Sequence, residues 1–423
     1  MGDDAPPMGG VATASRPALL DAGLWLRPAT WPHWVSVLAR HGWIALALAF
    51  SVATAGRLWD LTAGAGSRIQ ALYRWIPDIA QFSGLGESVL RGDLGGAYAD
   101  PFNQAGPAQI IGDGLVLRLL AVLPGAAGVA VLMTLVASVP LLVGGSVAAS
   151  LIRRLPDSST LVLAAPWLTV AVLGLIGADE EYLMAGHWWQ IPVLLLWVLA
   201  GGLSAAGRPV LAGAAIGLAT GLEPWGIVGV VALLLAPDLR RVAGAVGAAV
   251  AVSAMLWLPF VVSGSFHMAG YHWTVRADSA WSLLVGAGSP FPWSLRLLQA
   301  GLVGAVATAV TLLWARPLLR RHAAIRATAC LLVPVIIVLL RVATDIWFGS
   351  YYLISPVVVL LPAAVIWALH RNIAGAWLML ASWLVLMGAA GRGPFALSAA
   401  ACVASVAGLF FLRDVPLGQE EPS

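Results

Sequence analysis

Carboxylates gather where an otherwise apolar chain turns polar. Residues 74–109 carry Asp78, Glu87, Asp93 and Asp100 and form the longest polar interruption in 423 residues that are 60% hydrophobic and 10% charged. A carboxylate held at a membrane surface can take the proton of an acceptor hydroxyl. Asp78 is the candidate for that base, because Pro77 beside it suits the first position of a helix. The same placement would also let Asp78 do no more than stabilise the helix N-terminus. Ile79, Phe82, Leu85 and Val89 recur at helical spacing, which predicts an amphipathic helix over 77–91 lying on the bilayer.

Four further groups could bind or react. Residues 177–190 combine Asp179, Glu180, Glu181, His187, Trp188 and Trp189 in one short loop. His187 and Trp189 are candidates for contact with a sugar or an acceptor, although an interfacial tryptophan belt would have the same composition. A divalent cation at Asp179, Glu181 and His187 is possible, but the spacing is not specific to one. Glu223 and Trp225 stand at a Pro-marked break in an apolar stretch. An acid that deep needs a wet cavity or a cationic partner such as Arg341. In the loop 267–281, Arg276 offers a bidentate fork for phosphate oxygens and His272 a second donor; a plain Arg276–Asp278 contact would use the same residues. Lastly, Arg341, Asp345, Tyr351 and Tyr352 bracket a short outer turn.

The elements that must position these groups are membrane helices. Soluble domains carry about 25% charged residues, far above this chain's share, so the composition places it in the membrane class. All 23 basic residues are arginine, which excludes lysine-based Schiff-base and P-loop chemistry. No phosphate-cradling glycine loop is present, and a net charge of +3 gives no case for nucleic acid. Cys330 and Cys402 lie in apolar runs and read as packing residues.

Residues 1–20 are Gly-, Ala- and Pro-rich and expected to be disordered, 24–43 read as an interfacial segment, and the first span begins near Trp43 without the features of a secretory signal. Later spans are expected near 118–151, 161–176, 190–206, 209–236, 242–263, 295–315, 327–346, 351–369, 374–390 and 395–412. As one straight helix, 209–236 would be roughly 42 Å long against a hydrocarbon core of about 30 Å. It therefore reads as two half-length helices meeting at Glu223-Pro224. The expected fold class is an all-α polytopic membrane protein with about 12 membrane passes. Its parts are an N-terminal region over 1–40, a membrane domain over 41–413 with an outer loop at 61–115, and a tail over 414–423. Arginine placement puts Arg153, Arg208, Arg240, Arg320 and Arg413 on the cytoplasmic face and the acidic loops outside, in a plasma membrane of bacterial type.

The run Asp78-Ile-Ala-Gln-Phe82, then Leu90-Arg-Gly92, Ala97-Tyr98 and Gly106-Pro107 resembles the first extracytoplasmic loop of the GT-C polyprenyl-phosphate-sugar glycosyltransferases. It is most similar to the actinobacterial α-mannosyltransferases of the phosphatidylinositol-mannoside type (glycosyltransferase family 87-like). In that family an aspartate soon after the first span is the general base, and the matching position is Asp78. The family's histidine two residues later is Ala80 here. Gly186-His187 resembles a Gly-His element that faces the substrate cavity in family members. Gly221-Leu-Glu-Pro-Trp-Gly226 resembles an element whose lysine meets the lipid phosphate, but Glu223 stands in that lysine's place. The His272–Asp278 run and the Asp345 to Tyr351-Tyr352 element also have similar counterparts.

The resemblance implies a GT-C-like fold and transfer of a sugar, commonly mannose, from a polyprenyl-phosphate donor to a glycolipid or cell-envelope glycan acceptor, with inversion, among membrane lipids on the outer face. No cofactor is implied. Two other classes stay open: a secondary transporter, for which a broken helix carrying Glu223 would suit ion coupling, and a periplasmic glycan ligase or polymerase.

Overall fold

The computed structural model describes residues 77–122, 189–319, 323–346, 350–369, 373–392 and 403–404. Side chains within these ranges are described except at a few positions, among them Asp78 and Tyr351. The expected first span, most of 118–151, 161–176 and 395–412 lie outside the described residues, as do His187 and the acids at 179–181.

The described chain is mostly helical. The outer loop supplies α1 (Pro77–Leu90) and α2 (Pro107–Val122), separated by a 3-10 turn at Gly95–Tyr98. α1 and α2 touch backbone to backbone: a Cβ on Gly114 would overlap the main chain of Gly86, and one on Gly86 would overlap Ile110 O. Phe82, Val89, Tyr98, Ala105 and Ile110 close a small apolar core there with Phe260 and Met268. The amphipathic helix predicted over 77–91 thus exists, and its apolar side is used for protein packing.

α3 (Gln190–Ala205) and α4 (Pro209–Leu222) follow. α4 stops where the sequence says it should. Glu223 is extended (φ −141°, ψ 133°), as a residue before proline prefers, and Pro224 opens a 3-10 helix through Leu235. The two legs fold together, with Gly226 lying on the backbone of Ala219 and Thr220. α3 fastens the second leg by two buried bonds. Trp197 Nε1 donates to Gly226 O at 2.8 Å and Ser204 Oγ to Leu233 O at 2.8 Å. A 3-10 leg leaves carbonyls poorly served by its own ladder, and these side chains supply donors.

Among the described residues, two helices are long and apolar enough to cross a membrane: α5 (Leu239–Val261) and the segment Trp293–Ala315, which is α7 (Trp293–Val310) extended by a π-helical turn at Thr311–Ala315. At 23 residues each, they reach about 35 Å, against about 30 Å of hydrocarbon. Both are exposed along large apolar side chains, Val250, Met255 and Leu258 on α5 and Leu297, Leu298 and Leu302 on α7. Such faces suit lipid rather than water.

The remaining helices are α8 (Ala323–Ala343), α9 (Ile354–Leu369) and α10 (Ile373–Arg392). With α3, α4 and the 3-10 leg they enclose the main core, which includes Cys330. The all-α expectation is corrected at one place. The loop between α5 and α7 contains a short antiparallel ladder, β1 (Trp273–Thr274) with β2 (Pro290–Phe291), closed over the small helix α6 (Ser282–Val285). Val275, Trp281, Phe291 and Ile346 form a third core beneath it. Pro290 lacks an amide donor and fits a ladder of only two residues per strand.

Candidate functional site

The residues following α8 form a hydrogen-bonding hub. Arg276 N donates to Ile346 O at 3.2 Å, Trp281 Nε1 to Thr344 O at 2.7 Å, and Gln299 Nε2 to Thr344 O at 2.8 Å. Asp345 lies at the centre and is only 1% exposed. Arg296 Nη1 reaches its Oδ1 at 2.6 Å, and Arg341 Nε stands 3.8 Å from its Oδ2. Ile346 N donates to the same carboxylate at 2.7 Å. Two guanidinium groups therefore share one buried anion and leave a local excess of positive charge. Both remain in part open, with 17% and 14% of the Arg296 and Arg341 side chains exposed.

Aromatic faces hold both arginines. Arg341 lies 3.9 Å from the ring centre of Trp225 and 4.6 Å from that of Tyr352; Arg296 lies 4.9 Å from Trp273. Trp225 is braced edge-on by Trp197, 4.9 Å away at 87°. Trp273 continues into Tyr271 at 5.0 Å and Tyr271 into the exposed Phe102 at 5.5 Å, so an aromatic run links this hub to the outer loop. Stacking keeps a guanidinium in place while its in-plane N–H groups stay free to bind an oxyanion.

The sequence-predicted residues divide sharply. Trp225, Arg341, Asp345 and Tyr352 come together. Arg276 docks beside them through its backbone, but its guanidinium forms a forked pair with Asp278 (3.0 and 3.1 Å) on the exposed surface. That bears out the plainer reading of this pair. His272 is exposed next to Trp273. Gln190 Nε2 donates to Glu223 at 3.1 Å, and Arg341 pairs with Asp345. Arg341 nevertheless stacks two residues from Glu223, on Trp225. Asp78 occupies the second position of α1, while its side chain, that of Tyr351 and all of His187 fall outside the described residues.

Arg296 and Gln299 were missed. Both sit in the first two turns of an apolar helix, and Arg296 Nη1 also donates to Gln299 Oε1 at 2.7 Å. Polar residues three apart inside a membrane-length helix were the available signal.

The outer-loop carboxylates have local structural tasks. Asp93 Oδ1 accepts from Gly96 N at 3.1 Å and Asp100 Oδ1 from Phe102 N at 2.9 Å. Glu87 takes Arg118 Nε at 2.9 Å, and this bond, with the charges of Arg118 and Arg91, holds its carboxyl below the usual range. Tyr98 donates to Ala105 O at 2.8 Å, and burial pushes its phenol up. Asp113, in the outer-loop helix, is wholly buried and accepts Trp189 Nε1 at 3.1 Å. Burial drives its carboxyl well above the ordinary range; hydrogen bonds from Trp189 and Gln109 oppose this, and the Glu223 charge adds to it. Among the described residues no three His, Cys, Asp or Glu side chains cluster as a metal site would require.

Comparison of the chain with protein-family models, with curated proteins and with solved structures found no match.

Proposed function

We propose that the chain is an integral membrane glycosyltransferase of GT-C-like architecture with about 12 passes. It moves a sugar, mannose in the simplest case, from a polyprenyl-phosphate donor to a glycolipid or glycan on the outer face. The observation carrying this reading is the Arg296–Asp345–Arg341 cluster. Two partly exposed guanidinium groups with one shared counter-ion suit a phosphate, and Trp225, Tyr352 and Trp273 offer flat faces beside it. Arg296 thereby takes the part that the lysine replaced by Glu223 would have played.

In the reaction, Asp78 accepts the proton of the acceptor hydroxyl while its oxygen attacks the anomeric carbon. The bond from that carbon to the phosphate oxygen breaks, and the electron pair leaves on the polyprenyl phosphate. Arg341 and Arg296, with His272 at the loop edge, stabilise the charge that builds on the leaving group. In this reading His187, Trp189 and Tyr351 serve the acceptor, the part the resemblance implies for them. Asp78→Asn in membranes is expected to abolish transfer of labelled mannose while the protein is still made and inserted. Full activity in that variant would remove the base assignment.

A secondary transporter is the second reading, favoured by the helix break at Glu223 beside the buried Asp113. Proton-coupled solute uptake into proteoliposomes that Glu223→Gln abolishes, with no sugar transfer by the wild type, would establish it instead.

A further inference from the structure

Two carboxyl groups, those of Asp113 and Glu223, come together at the N-terminus of α3. Consecutive residues hold them. Trp189 donates to Asp113 and Gln190 donates to Glu223, both at 3.1 Å. The elements that carry the acids are joined directly, since Gly106 N at the head of α2 donates to Leu222 O, the residue before Glu223, at 3.0 Å. Trp189 lies flat on α2: a Cβ added to Gly112 would come within 2.7 Å of its indole, so glycine there is what admits the ring to Asp113.

The two acids differ in their surroundings. Asp113 is wholly buried, and its Oδ2 has no hydrogen-bond partner. Gln109 Oε1, one turn earlier on the same helix, is likewise a buried oxygen without a donor. Glu223 is half-buried, at the open end of the hairpin. An ionised carboxylate with only neutral donors, an orphaned second oxygen and another acid nearby is costly to bury. A helix N-terminus favours one negative charge, not two. One proton resolves all of this, because it turns the orphaned Oδ2 of Asp113 into a donor and leaves Glu223 ionised toward water.

We propose that Asp113 and Glu223 form a buried proton-binding site that holds a single proton between them, resident on Asp113, with Glu223 as its route to water. Among the described residues, the other groups facing the site are few. Glu87 of α1 is committed to Arg118 on α2, Tyr98 donates to Ala105 O, and α4 and the part of α5 beyond Arg241 contribute no titratable side chain. Release of the proton would place two negative charges at the head of α3, two residues from the Trp225 face that carries Arg341. The site thus couples proton uptake to the hairpin tip, whether the chain transfers sugars or not.

Infrared spectroscopy of the full chain in lipid nanodiscs, with aspartate carboxyls isotopically labelled, tests this directly. At pH 7 the wild type is expected to show the carbonyl stretch of a protonated aspartic acid, and Asp113→Asn to lose it. In Glu223→Gln the band should remain at lower pH and titrate away about one pH unit or more below the wild type. No labelled protonated band at pH 7, or a band that survives Asp113→Asn, would overturn the site. An unmoved midpoint in Glu223→Gln would overturn the pairing even if Asp113→Asn failed to fold.

Discussion

Two buried polar clusters lie on either side of the hairpin tip, and their chemistry is opposite. At the α8 end, two arginines close on one aspartate, so the surplus is positive and the vacancy suits an anion. At the head of α3, Asp113 accepts from Trp189 and Glu223 from Gln190, and the group proposed to complete that pair is a proton. The difference shows how a chain with few charges uses them. Glu223-Pro224-Trp225 connects the two, belonging to the acid pair through its first residue and carrying Arg341 on its last.

The contrast can be broken most severely at Asp345. Replacing it with alanine strands two guanidinium groups in a buried setting and is expected to cost about 3–5 kcal/mol of stability, read as a large loss of folded protein on heating in detergent. Asp345→Asn should be milder, since the amide oxygen still accepts from Arg296 and Ile346 N. Equal damage from both would show that the ion pair itself is essential.

Next in size is Gly229→Ala. Its methyl group would enter the Trp197 indole, whose N–H holds Gly226 O and whose edge braces Trp225. Overpacking of this kind costs about 1–3 kcal/mol. Activity should fall further than stability, because Trp225 carries Arg341. Unchanged kinetics in a folded variant would detach the hairpin from the site.

The acid cluster should respond in the other direction. The native pKa of Asp113 lies above its unfolded value, so the native state keeps a proton that the unfolded chain releases. Stability is then greatest below the ordinary carboxylate range and falls as pH rises toward the native pKa. Asp113→Asn removes that fall. It should melt higher than the wild type at neutral pH and lose the advantage near pH 4. The smallest effect is expected from Glu87→Gln, which cuts an exposed pair with Arg118 and should leave the melting temperature nearly unchanged at physiological salt.

Local signals were legible in the sequence. The proline after Glu223 marked the break in 209–236, and helices stand where apolar runs near 190–206, 242–263, 295–315, 327–346 and 351–369 predicted them. The tertiary pairings were not legible, for a physical reason. Arg296 meets Asp345 across 49 residues and Trp189 meets Asp113 across 76, so no spacing motif joins either pair. Arg276 misled in the opposite way. Its type fits phosphate, yet Asp278 two residues on already fills its fork. Glu223 was rightly seen as needing a partner, and Gln190, 33 residues earlier, supplies one that no local motif announces.

The central claim is that this membrane protein hands a sugar from a polyprenyl phosphate to an acceptor with its arginine pair on the leaving phosphate. Membranes containing the wild-type chain, incubated with radiolabelled polyprenyl-phosphate mannose and extracted for lipid products, test it most directly. The account predicts a labelled product whose formation falls at least about a hundredfold in Arg341→Ala and Arg296→Ala, the scale of losing a transition-state charge partner. No labelled product from the wild type, or undiminished transfer by both variants, would contradict it.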